Sequence, residues 1–203
     1  MSSVLLIDSV HKELCVAFIN TKTNCVKFRI HTEQRQHDKN IVRLVRELMF
    51  DCDVTFEDID AYACVVGPGS WTGCRVGVAC IKGFAIANPR PVLAINCLDT
   101  IWSAWKKNNL LDTRTVILHS SLDNYFVLKV LKQGEKIVKE YGSIKLDSSD
   151  KGFVKKYVTL EEVGVEKYRN ELVNQVLKKM KSNEIVNASD LTPFYITDFV
   201  VKK

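Results

Sequence analysis

The sequence predicts an α/β protein of two units. The first runs strand–strand–strand–helix–strand–helix, and the second is a trimmed copy of the same βββαβα order. Three observations carry this. The spacing of apolar residues alternates between a period of two and a helical period along the first hundred residues. A second strand meander begins after residue 108. A glycine-rich break joins a wholly apolar strand to a long helix. The boundary is read between the units 1–107 and 108–203.

Val4–Asp8 is a short apolar run ending in an acid, and Leu14–Ile19 follows after a turn. Asn20-Thr-Lys-Thr-Asn24 is turn chemistry, after which Cys25–Ile30 alternates like a half-buried strand. From Asp38 the spacing changes: Ile41, Leu44, Val45 and Leu48 share one helical face, with Val42 and Met49 as a weaker second stripe. Tyr62–Val66 is a continuous apolar run, typical of a strand covered on both faces. Gly67-Pro-Gly-Ser-Trp-Thr-Gly73 breaks it and opens a helix to about Asn88, which Pro89 and Pro91 close. Val92–Ile95 is the next strand and Leu98–Lys107 the next helix.

In the second half, Val116–His119, Tyr125–Leu131 and Ile137–Tyr141 repeat the meander, with a Gln133-Gly134 turn. Ser143–Val163 has little apolar pattern and reads as irregular. Glu166–Lys181 has helical spacing through Tyr168, Leu172 and Val176, while Ile185–Asn187 and Phe194–Ile196 read as short extended pieces. The doubled βββαβα order is that of the actin-like ATPase (RNase-H-like) superfold.

Composition narrows the function classes. The 203 residues are 46% hydrophobic and 26% charged, ordinary for a globular chain. No uncharged apolar run approaches the roughly 20 residues that span a bilayer, and the opening MSSVLLIDS lacks a basic leader region. The seven cysteines form no C-x-x-C pair, which implies reduced, core-filling thiols in a cytoplasmic protein. Residues 1–100 carry 11 Lys and Arg against 11 Asp and Glu, so the whole +5 lies in residues 101–203, with 18 against 13. Its lysines are spread singly without an aromatic platform, as on a solvated face.

The segment Gly67–Gly73 is the most informative. Glycines permit close backbone approach, and a helix N-terminus offers unpaired amides, so Gly67, Pro68, Gly69, Ser70, Thr72 and Gly73, with Asp8 and Ser9, form a candidate anion seat. A sharp turn needing glycine only for its geometry is the equal alternative. Gly73 is followed by Cys74 and Arg75, which excludes a Walker loop, and Thr72 occupies the sixth position of a dinucleotide fingerprint. The nucleophile-elbow spacing is also missed, by one place.

The helix behind this loop has apolar residues around its axis and glycines at 73, 77 and 83. Each interior glycine costs about 1 kcal/mol relative to alanine, so something must approach closely. A helix apolar on most sides must be covered on most sides. Burial within its own domain is one alternative; the favoured reading is a partner-binding surface of Val42, Val45, Met49, Val76, Gly77, Cys80, Gly83 and Phe84.

Gly67-Pro-Gly-Ser-Trp-Thr-Gly-Cys-Arg-Val-Gly77 resembles the G-P-G-S-F-T-G-x-R-x-G motif of the TsaB (YeaZ) family. The opening Leu-Leu-Ile-Asp8-Ser9, His37 before the first helix, Pro91–Ile95 and Pro193–Ile196 resemble it as well. The resemblance implies a non-catalytic scaffold in the pathway that places threonylcarbamoyl on the adenosine beside the tRNA anticodon. It implies pairing with a TsaD-type catalytic subunit through the first-domain helices, a TsaE-type ATPase in the larger complex, and only indirect contact with tRNA. The apolar helix face predicts a homodimer when alone and the composition no membrane, while no cofactor is expected on the chain alone, with ATP and Mg²⁺ entering only in the complex.

The TsaD-type H-x-x-x-H ligand pair is missing, since Asn96–Trp102 holds no histidine. Val10 stands where the family shows Ser, and Thr197 where it shows Arg. Two rival readings are a small actin-like-fold ATPase or kinase using Asp8 and the Gly67–Gly73 loop, and a tRNA-binding module on the basic half.

Overall fold

The computed structural model describes residues 1–33, 36–106, 114–121, 124–133, 136–145 and 157–196. Strand β1 (Ser3–Asp8) is buried along its whole length, as an unbroken apolar run must be when a sheet is covered on both faces. It pairs antiparallel with β2 (Leu14–Asn20), Ser3 opposite Asn20, and parallel with β4 (Ala61–Gly67), Val4 opposite Ala61. Strand β3 (Cys25–His31) pairs antiparallel with β2, and β5 (Val92–Asn96) completes the order β3-β2-β1-β4-β5. This is the strand order of an RNase-H-like unit, and the chain has the actin-like fold that the element order implied.

Helix α1 (His37–Cys52) packs over β2 and β3, helix α2 (Trp71–Ala87) packs over β4 and β1, and the two helices touch each other. Leu5 and Ile7, Val16 and Phe18, and Tyr62 and Cys64 point from three strands into one core. Leu44 and Leu48 of α1 and Val78 and Ile81 of α2 meet them there. The strand set alternates by two and the helix set by three and four, the two periods that bury one face of each element.

The second unit holds an antiparallel meander, β6 (Arg114–Ser121), β7 (Asn124–Gln133) and β8 (Lys136–Lys145). Helix α3 (Cys97–Lys106) packs on β6, β7 and the short helix α4 (Leu160–Val163). Its buried side carries Leu98, Ile101, Trp102 and Trp105, and the Trp105 indole donates to Glu162 Oε1 (3.3 Å). The two units are Met1–Ile95 with Val173–Phe194, and Asn96–Leu172 with Tyr195–Lys203.

The boundary therefore differs from one drawn at 107, because α3 buries its apolar side in the second unit. Helix α5 (Val165–Ser182) leads the chain back to the first, where Val186 bridges β5 at Val92 (N···O 3.3 and 2.8 Å). Within the stretch read as irregular, β8 continues to Lys145, and Thr159 caps α4 by accepting from the Glu162 amide (3.1 Å). Gly134, residues 146–156 and Thr197 lie outside the described residues. The Phe194 amide donates to Val66 of β4 (2.8 Å).

None of the seven cysteines forms a disulfide, and Cys15, Cys64, Cys74 and Cys97 are buried. Burial pushes the Cys64 thiol well above its ordinary range and Cys74 up to about 12, as suits core-filling groups. Among the described residues no helix is long and apolar enough to cross a membrane.

Asp60 ties the start of β1 to the start of β4. It accepts from the Ser2 amide (2.6 Å), the Ser2 hydroxyl (2.7 Å) and the Ser3 amide (3.2 Å). These bonds hold its carboxyl down to about 2, below the ordinary carboxylate range. A depressed carboxylate stabilises fully above about pH 4, and that stabilisation is lost as pH falls towards 2. Asp60→Asn is expected to cost about 1 kcal/mol at neutral pH after solvent screening, a melting drop of roughly 2–4 °C. Melting curves of both proteins should converge as pH falls from 4 to 2; a pH-independent gap would refute this role.

Candidate functional site

Because β1 and β4 run parallel, their carboxyl ends lie side by side. The turn after Asp8 therefore faces the loop after Gly67, at the edge where α/β sheets build their sites. The loop does not stand open around this edge. The Ser70 amide donates to Val10 O (2.9 Å), and the Ser9 hydroxyl donates to Gly73 O (2.7 Å). Ser70 caps α2 by accepting from the Gly73 amide (3.2 Å). His37, at the start of α1, sets its ring nitrogens 3.2 Å from Ser9 O and 3.1 Å from Lys12 O, holding the same turn from the other side.

The glycines are explained by what lies against them. A Cβ on Gly69 would sit 2.5 Å from Val10 O and 2.8 Å from Val10 Cβ. One on Gly73 would strike the Ser9 carbonyl oxygen, and one on Gly77 the Ser9 hydroxyl. Gly67 has φ +123°, and a side chain there would meet Phe194 O at 2.9 Å. It precedes buried Pro68 through a cis peptide bond. Of the two readings of this loop, the geometry favours the turn: the close approaches are made by the chain's own Ser9 and Val10.

Asp8 is buried, accepts from the Val10 amide (3.1 Å) and lies 3.9 Å from His11 Nε2. Among the described residues no three His, Cys, Asp or Glu side chains converge as metal ligands would. Asp99 is engaged by Tyr141 (2.8 Å) and Lys139 (2.9 Å).

Helix α2 turns Gly73, Cys74, Gly77, Val78, Ile81 and Ala85 inward. Its other side is apolar and open: Ile86 is 74% exposed and Trp71 57%, with exposed Ala79 and Gly83 between them. Arg75 lies over the Trp71 ring at 4.5 Å. Beside it, α1 exposes Val42 (50%) and Phe50 (86%). The expected partner surface therefore divides. Val42 and Gly83 are exposed, Val76 and Cys80 are half-buried, and half-buried Phe84 packs on Phe56 at 4.9 Å.

Val45, Met49 and Gly77 instead lie within the unit's own core, because their positions on each helix face the sheet or Ser9. The partner surface read from the sequence leaves out exposed Phe50 and also Ile86, one of the apolar residues around the α2 axis. Phe50 lies eight residues beyond Val42, on the same side of α1, a spacing that could have found it.

Ala at Gly73 would press on a backbone carbonyl and is expected to cost about 2–3 kcal/mol. Ala at Gly77 meets only a hydroxyl, so Ser9→Gly should recover much of its loss. Denaturant titration of the two single variants and of the Ser9→Gly/Gly77→Ala pair tests this packing, and additive losses in the pair would contradict it.

Residues 30–128 match the family described as TsaD, tRNA N6-adenosine threonylcarbamoyltransferase. The chain is 31% identical over 106 residues to the tRNA threonylcarbamoyladenosine biosynthesis protein TsaB of Escherichia coli strain K12, covering 52% of this chain and 45% of that protein. It is 28% identical over 99 residues to TsaB of Bacillus subtilis strain 168, covering 49% and 43%. The matched region thus spans less than half the length of these two curated relatives. The solved structure of YeaZ from Pseudomonas aeruginosa superposes with a TM-score of 0.71 at 18% identity, over 97% of this chain and 100% of that one.

Proposed function

Because this chain belongs to the TsaB (YeaZ) family, we propose that it is a non-catalytic scaffold subunit in the formation of threonylcarbamoyladenosine beside the tRNA anticodon. It pairs there with a TsaD-type catalytic subunit, a TsaE-type ATPase joins the larger complex, and tRNA is met through those partners. It works in the cytoplasm, and when alone it self-associates through the same face. The observation that carries this reading is the exposure of large apolar side chains on two touching helices, Phe50 of α1 at 86% and Ile86 of α2 at 74%. A patch of this kind on neighbouring helices is a protein-binding surface by default.

The match of residues 30–128 to the TsaD family supports a partner of like fold, since similar units pair readily through equivalent helices about a twofold axis. The absence of histidine in Asn96–Trp102 supports a partner that brings the catalytic metal ligands. ATP and Mg²⁺ enter with the partner, because Ser9 and Val10 take up the space that the glycines open.

Co-purification and size exclusion with the cognate TsaD-type subunit should give a stable complex. Phe50→Asp and Ile86→Glu should each weaken it about 10- to 100-fold, as at an interface hot spot, without lowering the melting temperature. Gly83→Ala has open space for its methyl and should stabilise the free chain by up to about 1 kcal/mol, while weakening the complex. Unchanged affinity in all three variants would overturn the assignment of this face. Calorimetry with millimolar ATP should show no binding to the chain alone, and binding there would favour the ATPase reading.

A further inference from the structure

Helix α1 crosses β3 in a defined register. At its first turn Asn40 Nδ2 lies 3.2 Å from His31 Nε2. At its last turn Lys27 Nζ donates to Asp51 O (2.7 Å), and Arg29 pairs with the Asp51 carboxylate. His31, Arg29 and Lys27 are alternate residues and share one face of β3, so the next member of that face is Cys25. The residue after Asp51, which closes α1, is Cys52. Both cysteines are half-buried, as is Cys80 on α2, whereas Cys15, Cys64, Cys74 and Cys97 are sealed.

We propose that Cys25 and Cys52 are a reversible thiol–disulfide pair that staples the edge strand β3 to the C-terminal end of α1. The oxidant class is a low-molecular-weight disulfide such as oxidised glutathione. One protein thiolate opens its S–S bond, forms a mixed disulfide and releases one thiol. The second protein thiolate attacks the mixed disulfide at the protein sulfur and releases the other. The two protein thiols lose two protons and two electrons, and the small disulfide is reduced to two thiols.

The thiols are near enough for Cys25 to act electrostatically on Cys52. Burial raises the Cys52 thiol above its ordinary range, Lys27 and Arg29 draw it down, and Cys25 and Asp51 add to the rise. Because α1 also carries Val42 and Phe50, the staple would fix the end of a helix that bears the proposed partner face.

The test is oxidation of the full chain with oxidised glutathione, alkylation of the remaining thiols without unfolding, and peptide mapping by mass spectrometry. The expected product is one linked peptide pair joining Cys25 to Cys52, reversed by dithiothreitol. The oxidised chain should melt roughly 5–10 °C higher than the reduced chain, since the bond closes the segment between them in the unfolded state. Cys25→Ser and Cys52→Ser should each abolish the linked peptide and the shift. Separate glutathione adducts at the two cysteines, linkage to any other cysteine, or no reaction in the wild-type chain would each overturn the proposal. All three are read on the wild-type protein, whatever the variants do.

Discussion

The packing of the Ser9–Val10 turn against the Gly69–Gly77 segment is the constraint on which the rest of this molecule depends. Four contacts converge there: Ser70 to Val10, Ser9 to Gly73, and the His37 ring against Ser9 and Lys12. A side chain at 69, 73 or 77 would collide with that turn. The helix is thereby fixed in rotation about its axis, and 100° per residue leaves no freedom over which residues remain outside. With 73, 77, 81 and 85 inward, 79, 83 and 86 must face out.

The outward side gains its character from two helices, not one. Helices α1 and α2 touch, and both expose apolar side chains: Val42 and Phe50 on one, Trp71 and Ile86 on the other. Side chains as large as Phe50 and Ile86 each contribute about 2–3 kcal/mol when taken from water, so leaving both open costs the free chain what a covering surface would recover. Gly83 has nothing within 4 Å of where its Cβ would lie, in contrast to the crowded glycines at 69, 73 and 77. One glycine-bearing helix thus carries two kinds of glycine: those that let it settle on its own sheet, and one that faces open space.

Much of this was legible in the sequence. The switch from strand patterns to helical spacing placed β1 to β5 and α1 to α3 closely, because burial on one face or on both leaves its own apolar pattern. The Gly67–Gly73 break located α2, but not the object its glycines approach, since Ser9 and Val10 are some sixty residues away in the chain and contact between distant segments leaves no local pattern. The same limit hid the return of Val173–Phe194 to the first unit and the allegiance of α3 to the second. Val45 and Met49 were read as outward because an apolar stripe does not say which neighbour covers it; here the sheet does. Phe50 is different: its spacing from Val42 is a helical one, but Arg43 and Arg46 between them break the apolar stripe.

The decisive measurement is hydroxyl-radical footprinting of the chain, alone at low concentration and then with a TsaD-type subunit as the proposed partner. The account predicts strong oxidation of Phe50 and Ile86 in the free chain, with Tyr62 and Ile81 untouched, and loss of the Phe50 and Ile86 signals in the complex. A complex that forms while both remain as readily oxidised as before would contradict it.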